Sequence, residues 1–281
     1  MWQDSLRTGI SKIDEQHKML FTKVGELIDE AIYTGEYQKD KIIATIVFLK
    51  EYAISHFADE EAYQISINDV NYLDHKILHE DFVETILKHE KQMLESDFAH
   101  NDVSKFTGTL LAWLAYHVSD VDQKIGKITE NTMESNDYTD TICKCFCQTI
   151  NNYVNMKDRD VNSIVKVNHH DEAFVDSVTF KHTFTHILEG HVFFDFSYRF
   201  VSELIFSLTE IPLTKIGNFE KTFLLQISTI IIENIYRCLY VSEYEHRDVE
   251  ISIIEKDETY PTERVSFDTG IGIVEIGFSF T

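Results

Sequence analysis

Seven side chains in the first half of this sequence have the wrong polarity for the places they occupy. His17, His56, Glu60, His75, His79 and His117 fall on apolar helical stripes, and Asp122 follows close behind the last of them. A buried carboxylate or imidazole without a partner costs several kcal/mol. One such residue is ordinarily satisfied by hydrogen bonds; seven on one set of stripes require a shared compensation, and metal coordination is the chemistry open to this set. His56 and Glu60, in ISHFADEEAY, are one turn apart, as are His75 and His79. Residues i and i+4 share a helical face about 6 Å apart along the axis, so each pair can reach one ion. His117 and Asp122 are spaced i, i+5, about 140° off a common face. The helix therefore needs a π-type bulge or a loosened turn there, a feature frequent at functional sites. Five imidazoles and two carboxylates are too many for one tetrahedral zinc, whereas two ions bridged by the carboxylates use them all. Imidazole with carboxylate suits iron. The carboxylate-rich Glu-x-x-His arrangement of ferritin-like proteins is absent from these stripes. A His-rich pair leaves less negative charge on the metals, which favours reversible redox at a bound small molecule. Asp59 and Glu61 fall off the stripe and are expected to be solvated, with no ligand role. His89 lies ten residues past His79, about 15 Å along a helix and too far for the same pair; His100 is expected to be exposed.

The elements that must position these residues follow from the same stripes. They run Ile10, Ile13, His17, Leu20, Val24, Leu27, Ala31; then Ile42, Ile46, Leu49, Ala53, His56, Glu60; then Tyr72, His75, His79, Phe82, Ile86, His89, Met93; then Val103, Phe106, Leu110, Trp113, His117, Val121. Steps of three and four mark one face of a helix. Ser11 with Asp14 three residues on reads as a capping box. Four helices of about 20 residues joined by short polar loops predict an antiparallel four-helix bundle. TENTMESNDYTDT carries no stripe and reads as a connection. Beyond it a helix is expected at about 139–156, then strands in VDSVTFKHTFTHI and HVFFDFS broken by Glu189-Gly190. Two helices follow, in YRFVSELIFSLT and FEKTFLLQISTIIIENIYRCLY, then strands in VEISIIEK and RVSFDTGIGIVEIGFSF. The fold class is multidomain: an all-α antiparallel four-helix bundle over 1–130, a linker over 131–139 and an α+β domain with antiparallel pairing over 140–281.

Composition narrows the function. The chain has 281 residues, 43% of them hydrophobic, and a formal charge of −23. That acidity excludes nucleic acid and anionic membranes as partners, since both need a basic footprint. MWQDSLRTGI has no apolar signal core, and no run approaches a membrane span, so a cytoplasmic protein is expected. Cys143, Cys145 and Cys147 lie in CKCFC, without the CxxC spacing of a zinc clip, and Cys238 stands apart. Reduced thiols are expected of all four. His169, His170, His182, His186 and His191 are grouped in sequence, and His182 and His186 share a strand face by parity. Strand and loop roles are expected for them rather than a second metal site.

The ligand pattern resembles the hemerythrin family, in particular the bacterial hemerythrins, over about residues 1–128. It rests on His17 in IDEQHKMLF, H-x-x-x-E at 56 and 60, H-x-x-x-H at 75 and 79, and H-x-x-x-x-D at 117 and 122. LRTGISKIDEQHK, HFADEE, YLDHKILH and WLAYHVSDVDQKIG agree. The resemblance implies two irons, one held by His75, His79 and His117 and the other by His17 and His56. Glu60 and Asp122 would bridge them together with an oxygen atom, and dioxygen would bind at an open position on the second iron. Trp113 and Leu114 match pocket residues of that family, where a dry apolar wall slows loss of bound oxygen to water.

The second half is similar in layout to the CheX-like chemotaxis phosphatases, through EGHVFFDFSYRFVSELIFSLTEIP and the long helix after it. In that family the helix carries a Glu and an Asn that position water against an aspartyl phosphate in a response regulator. The matching places here hold Thr222, Gln226 and Thr229, so the phosphatase motif is degenerate and no enzyme activity is expected. The resemblance implies binding or homodimerisation through sheet edges, and a response regulator or chemotaxis protein as partner. The combined reading is a diiron protein that senses dioxygen. The alternatives are an oxygen carrier, store or scavenger with a dimerising tail, a diiron oxidase or peroxidase, or a response-regulator phosphatase.

Overall fold

The computed structural model describes residues 2–34, 38–127, 138–154, 164–167, 176–185, 189–239, 251–254, 261 and 263–280. The chain divides into two compact units, the first built on Met1–Glu130 and the second on Asn131–Leu208 with Pro212–Thr281. Of the expected linker over 131–139, residues 131–137 lie outside the described set, and Tyr138 and Thr139 open a helix.

The first unit is the expected helical bundle: α1 (Ser11–Thr34), α2 (Lys39–Ser66), α3 (Tyr72–Glu95) and α4 (His100–Tyr116). Each stripe forms because its apolar side chains leave water together; Ile13, Leu20, Val24, Ile46, Leu49, Phe82, Ile86, Val103 and Phe106 are all buried. The turns after α2 and α3 are short and use left-handed residues, Asn68 (φ 52°) and Asp97 (φ 51°), types that tolerate that conformation. Such turns make successive helices antiparallel neighbours. The capping expectation needs correcting. Ser11 is not the cap: Asp14 Oδ1 instead accepts from the backbone and hydroxyl of Thr8, at 2.7 and 2.9 Å. The carboxylate thus pins the segment leading into α1 rather than the first turn itself.

The second unit contains α5 (Tyr138–Val154), α6 (Tyr198–Thr209) and α7 (Asn218–Leu239), with β1 (Val165–Val167), β2 (Val178–Thr185), β3 (Glu189–Phe196), β4 (Ile251–Ile254), β5 (Glu263–Asp268) and β6 (Ile273–Phe280). The strands form one sheet in the order β1-β5-β6-β3-β2-β4, antiparallel at every described pairing. The expected α+β class is therefore present. β1 was not legible: three residues at a sheet edge carry too little pattern. Glu189-Gly190 does not break the strand either. Gly190 pairs with Phe184 and with Phe280, at φ 150°. A Cβ there would lie 2.3 Å from the Ser279 carbonyl oxygen, so the glycine marks close backbone approach inside the sheet. α5 covers one face, its Phe146 ring stacked 5.6 Å from Phe194. Among the described residues no helix is long and apolar enough to cross a membrane.

Candidate metal centre

All four helical segments of the first unit deliver polar side chains to one interior point. α1 brings His17, α2 His56 and Glu60, and α3 His75 and His79. After α4 the backbone widens into a π-helical turn over His117–Val121 and tightens into a 3-10 turn over Asp122–Lys124. That bulge is one of the two ways the i, i+5 spacing could be accommodated, and it brings Asp122 back beside His117. All seven side chains are buried, none more than 3% exposed.

The distances describe convergence on shared points. His75 Nε2 and His79 Nε2 lie 3.2 and 3.1 Å from His117 Nε2. Glu60 Oε2 is 3.1 Å from His79 Nε2, 3.4 Å from His75 Nε2 and 3.8 Å from His56 Nε2. Asp122 Oδ1 is 3.1 Å from His117 Nε2 and 3.2 Å from His75 Nε2, while its Oδ2 is 3.1 Å from His17 Nε2. Each carboxylate therefore stands between a three-imidazole group and a two-imidazole group. The ligand atoms of Glu60, His75, His79 and His117 all fall within 4.8 Å of one another, as do those of His17, His56 and Glu60.

The contacts of the two carboxylates and of His17 are close yet not aligned as hydrogen bonds. Both ring nitrogens of His17 and all four oxygens of Glu60 and Asp122 are buried without a hydrogen-bond partner. Buried polar groups are ordinarily satisfied. A cluster of orphans aimed at common points fits a cation, because lone pairs that converge on an ion need not point at each other. Three nitrogens in adjacent positions around an ion at about 2.1 Å would stand about 3 Å apart, the spacing found for His75, His79 and His117. The donor set, imidazole with carboxylate, fits iron.

Electrostatics agree. Burial and Asp122 push the Glu60 carboxyl up, but the close imidazoles of His75, His79 and His56 prevail and hold it at about 2. Burial disfavours charge on Asp122 as well, yet His117, His17 and His75 hold it well below the usual carboxylate range. Burial drives His117 down to about 4 and His56 to about 3. Burial also opposes charge on His75, but Asp122 and Glu60 overcome it and raise that ring to about 10. Two buried anions thus draw positive charge into the pocket, from an imidazolium or from a metal.

A surrounding layer of groups went unread in the sequence. The Nδ1 atoms face outward: His56 to Gln16 Oε1 at 3.1 Å, His75 to the Gln64 amide at 3.1 Å, and His79 to Glu61 Oε1 at 3.2 Å. With Nε2 turned inward to a metal, Nδ1 carries the proton and needs an acceptor. Gln64 supplies one when its amide is turned so that Oε1, otherwise unpartnered, faces the ring. Asp59 accepts from Gln16 Nε2 at 2.9 Å and pairs with Lys12 at 2.7 Å. Asp59 and Glu61 are thus partly exposed, as off-stripe residues should be, but not idle: they anchor the layer that orients His56 and His79. A signal was present, since Gln64 continues the i, i+4 row of His56 and Glu60.

The wall is aromatic. Phe57 stacks on His79 with centroids 3.8 Å apart, and Trp113 stacks on His117 at 4.2 Å and on Phe82 at 3.8 Å. Leu114 is fully buried on α4. Tyr52 stacks on His56 at 4.7 Å, and its buried hydroxyl has no hydrogen-bond partner. His89 packs against Phe106 instead, at 5.7 Å, and His100 is exposed at the start of α4.

In the second unit, Thr222, Gln226 and Thr229 share a half-exposed face of α7. Their threonine hydroxyls donate to their own helix, to Asn218 O at 2.8 Å and Leu225 O at 3.0 Å. His182 Nε2 lies 3.1 Å from the Tyr236 hydroxyl, and His191 Nδ1 lies 3.0 Å from the Thr183 hydroxyl. His169, His170 and His186 lie outside the described residues.

Comparison with known proteins separates the two units. The crystal structure of the chemotaxis protein CheX from Vibrio vulnificus is 9% identical, with a TM-score of 0.39, and covers 55% of this chain and 100% of its own. A CheC-like superfamily protein from Shewanella sp. PV-4 is 11% identical, with a TM-score of 0.37, over 52% of this chain and 99% of its own. Scores at that level leave the second unit's role to its own residues. Residues 8–128 match the hemerythrin HHE cation binding domain. A bacteriohemerythrin of Clostridium acetobutylicum is 32% identical over 127 residues, 44% of this chain and 96% of that protein. One of Pseudomonas aeruginosa is 29% identical over 126 residues, 43% of this chain and 76% of that protein. With nearly the whole length of a relative reproduced around the converging imidazoles, the chain belongs, through its first unit, to the hemerythrin family.

Proposed function

We propose that the first unit holds two iron ions and binds dioxygen reversibly. His75, His79 and His117 would hold one iron and His17 and His56 the other, with Glu60 and Asp122 bridging. The observation that carries this reading is the set of unpartnered oxygens on Glu60 and Asp122, each carboxylate standing between the two imidazole groups. Bound there, reduced iron would supply the electrons that reversible dioxygen binding requires. The chain's own contribution is threefold. Gln16, Gln64 and Glu61 hold the Nδ1 protons and so keep Nε2 of His56, His75 and His79 turned inward. The 3:2 division of imidazoles leaves one side with fewer donors, where a small ligand would bind. Phe57, Phe82, Trp113 and Leu114 exclude water from the pocket.

We further read the protein as an oxygen sensor, with domains at 1–130 and 140–281. A carrier would not need a second folded unit, and the layout of that unit suggests a chemotaxis or two-component partner, met through a homodimer. The α7 face at Thr222, Gln226 and Thr229 supports a binding role rather than phosphatase activity, since neither the family's Glu nor its Asn is present there. The first test is to load the chain with iron anaerobically and admit air. Two irons per chain and a visible charge-transfer band that reverses on removing oxygen are expected, with loss of the band in His56→Ala. The sensing step is tested by association with a receiver domain and by oligomeric state, with and without oxygen. If neither changes, the carrier or scavenger reading replaces the sensor; faster dephosphorylation of the receiver would restore the phosphatase reading.

A further inference from the structure

The second unit contains a thiol pair that the oxygen chemistry does not use. Cys145 on α5 donates toward Cys238 Sγ on α7 at 3.1 Å. One turn away, Asn234 Nδ2 donates to Thr149 Oγ1 at 3.0 Å. The two rungs, 145 with 238 and 149 with 234, run in opposite senses along the chain, so the helices are antiparallel and held in register where the sulfurs meet. Cys145 is 4% exposed, Cys238 is half-buried, and neither forms a disulfide.

We propose that Cys145 and Cys238 form a modification site: a dithiol that a low-molecular-weight disulfide converts to an intrachain cystine clamping α5 to α7. Cys238 is the more exposed residue of the two, and it accepts the Cys145 thiol hydrogen bond, so it attacks first. Its thiolate takes one sulfur of the oxidant and expels the other as a thiol, leaving a mixed disulfide on Cys238. The Cys145 sulfur then gives up its proton and attacks Cys238 Sγ, expelling the second thiol. Two protein thiols lose two electrons and two protons, and one small disulfide becomes two thiols. The sulfurs must close from 3.1 Å to about 2.05 Å, a shift of the order of small side-chain torsions. Hydrogen bonding to Cys238 and burial both push the Cys145 thiol up, in keeping with its acting second.

The neighbouring cysteines do not form such a pair with each other. Cys143 and Cys147 are at i, i+4 on α5, where Cβ atoms are about 5–6 Å apart, beyond the roughly 3.5–4.5 Å that a disulfide spans. Burial and the nearby Cys143 also push the Cys147 thiol up to about 12, which keeps it from attacking readily.

The experiment uses the full chain, reduced, desalted and then exposed to graded oxidised glutathione, with acid quenching. Thiol counting should show loss of two of the four cysteines, reversed by dithiothreitol, with no change in oligomeric state. Non-reducing tryptic mapping should yield a Cys145–Cys238 cystine; cleavage after Lys144 separates Cys143, and fragmentation separates Cys147. Cys145→Ser should trap glutathione on Cys238, and Cys238→Ser should leave Cys145 unmodified. The mapping of the unaltered chain decides the matter even if a variant folds poorly. A persistent glutathione adduct on Cys238 in the unaltered chain, adducts confined to Cys143 or Cys147, a cystine between chains, or no thiol loss would each overturn the proposal.

Discussion

Replacing Glu61 should loosen the metal without touching a ligand. Its carboxylate meets His79 Nδ1 at 3.2 Å, and its side chain is 21% exposed. A hydrogen bond to a charged acceptor is worth about 1.5–3 kcal/mol; partial exposure screens it, leaving about 1–2 kcal/mol. That is roughly fivefold to thirtyfold in metal affinity, close to the tenfold to hundredfold range for partners of metal-bound histidines. Glu61→Leu should show the full loss. Glu61→Gln keeps an acceptor and should lose about half the energy. Asp59→Asn, which acts on His56 only through Gln16, should lose less than Glu61→Leu. The assay is anaerobic competition against a chelator of known affinity, reading iron retained per chain. Retention by Glu61→Leu equal to the unaltered protein, or a larger loss in Asp59→Asn, would refute the view that this layer orients the imidazoles.

Three further outcomes follow from the same structure. Burial and the neighbouring Lys88 and Lys105 push His89 down to about 4 from 6.5. The unfolded chain therefore binds the extra proton, so stability is full above pH 6.5 and falls as the pH drops from there toward 4; between pH 7 and 5 the loss should be about 2 kcal/mol, and melting curves of His89→Leu should lack it. Tyr52→Phe removes a buried hydroxyl without a partner and should stabilise the iron-free first unit by about 1 kcal/mol in denaturant titrations; a destabilised variant would mean the hydroxyl has an unseen role. Gly190→Ala should cost about 3 kcal/mol or more, because its Cβ would meet the Ser279 carbonyl at 2.3 Å and its φ is 150°; an unchanged melting midpoint would contradict the close approach of β3 and β6.

What the sequence determined by itself was periodic or repeated. The helices of the first unit were legible because each apolar stripe runs for several turns, and the seven inward polar residues stood out against those stripes. The i, i+5 step from His117 to Asp122 even announced a helix irregularity, since no regular helix brings both to one point. In the second unit, long alternating strands such as β2 were legible while β1 was not, because three residues at an edge carry no period. What only the tertiary structure decided was everything that depends on two segments meeting. Asp59 and Glu61 look like solvated charges until Gln16 and His79 arrive from other helices. Cys145 and Cys238 are 93 residues apart and become a pair only when α5 packs on α7. Periodicity records which face of an element avoids water; it says nothing of which side chain of another element waits there, and that juxtaposition orients the imidazoles and pairs the thiols.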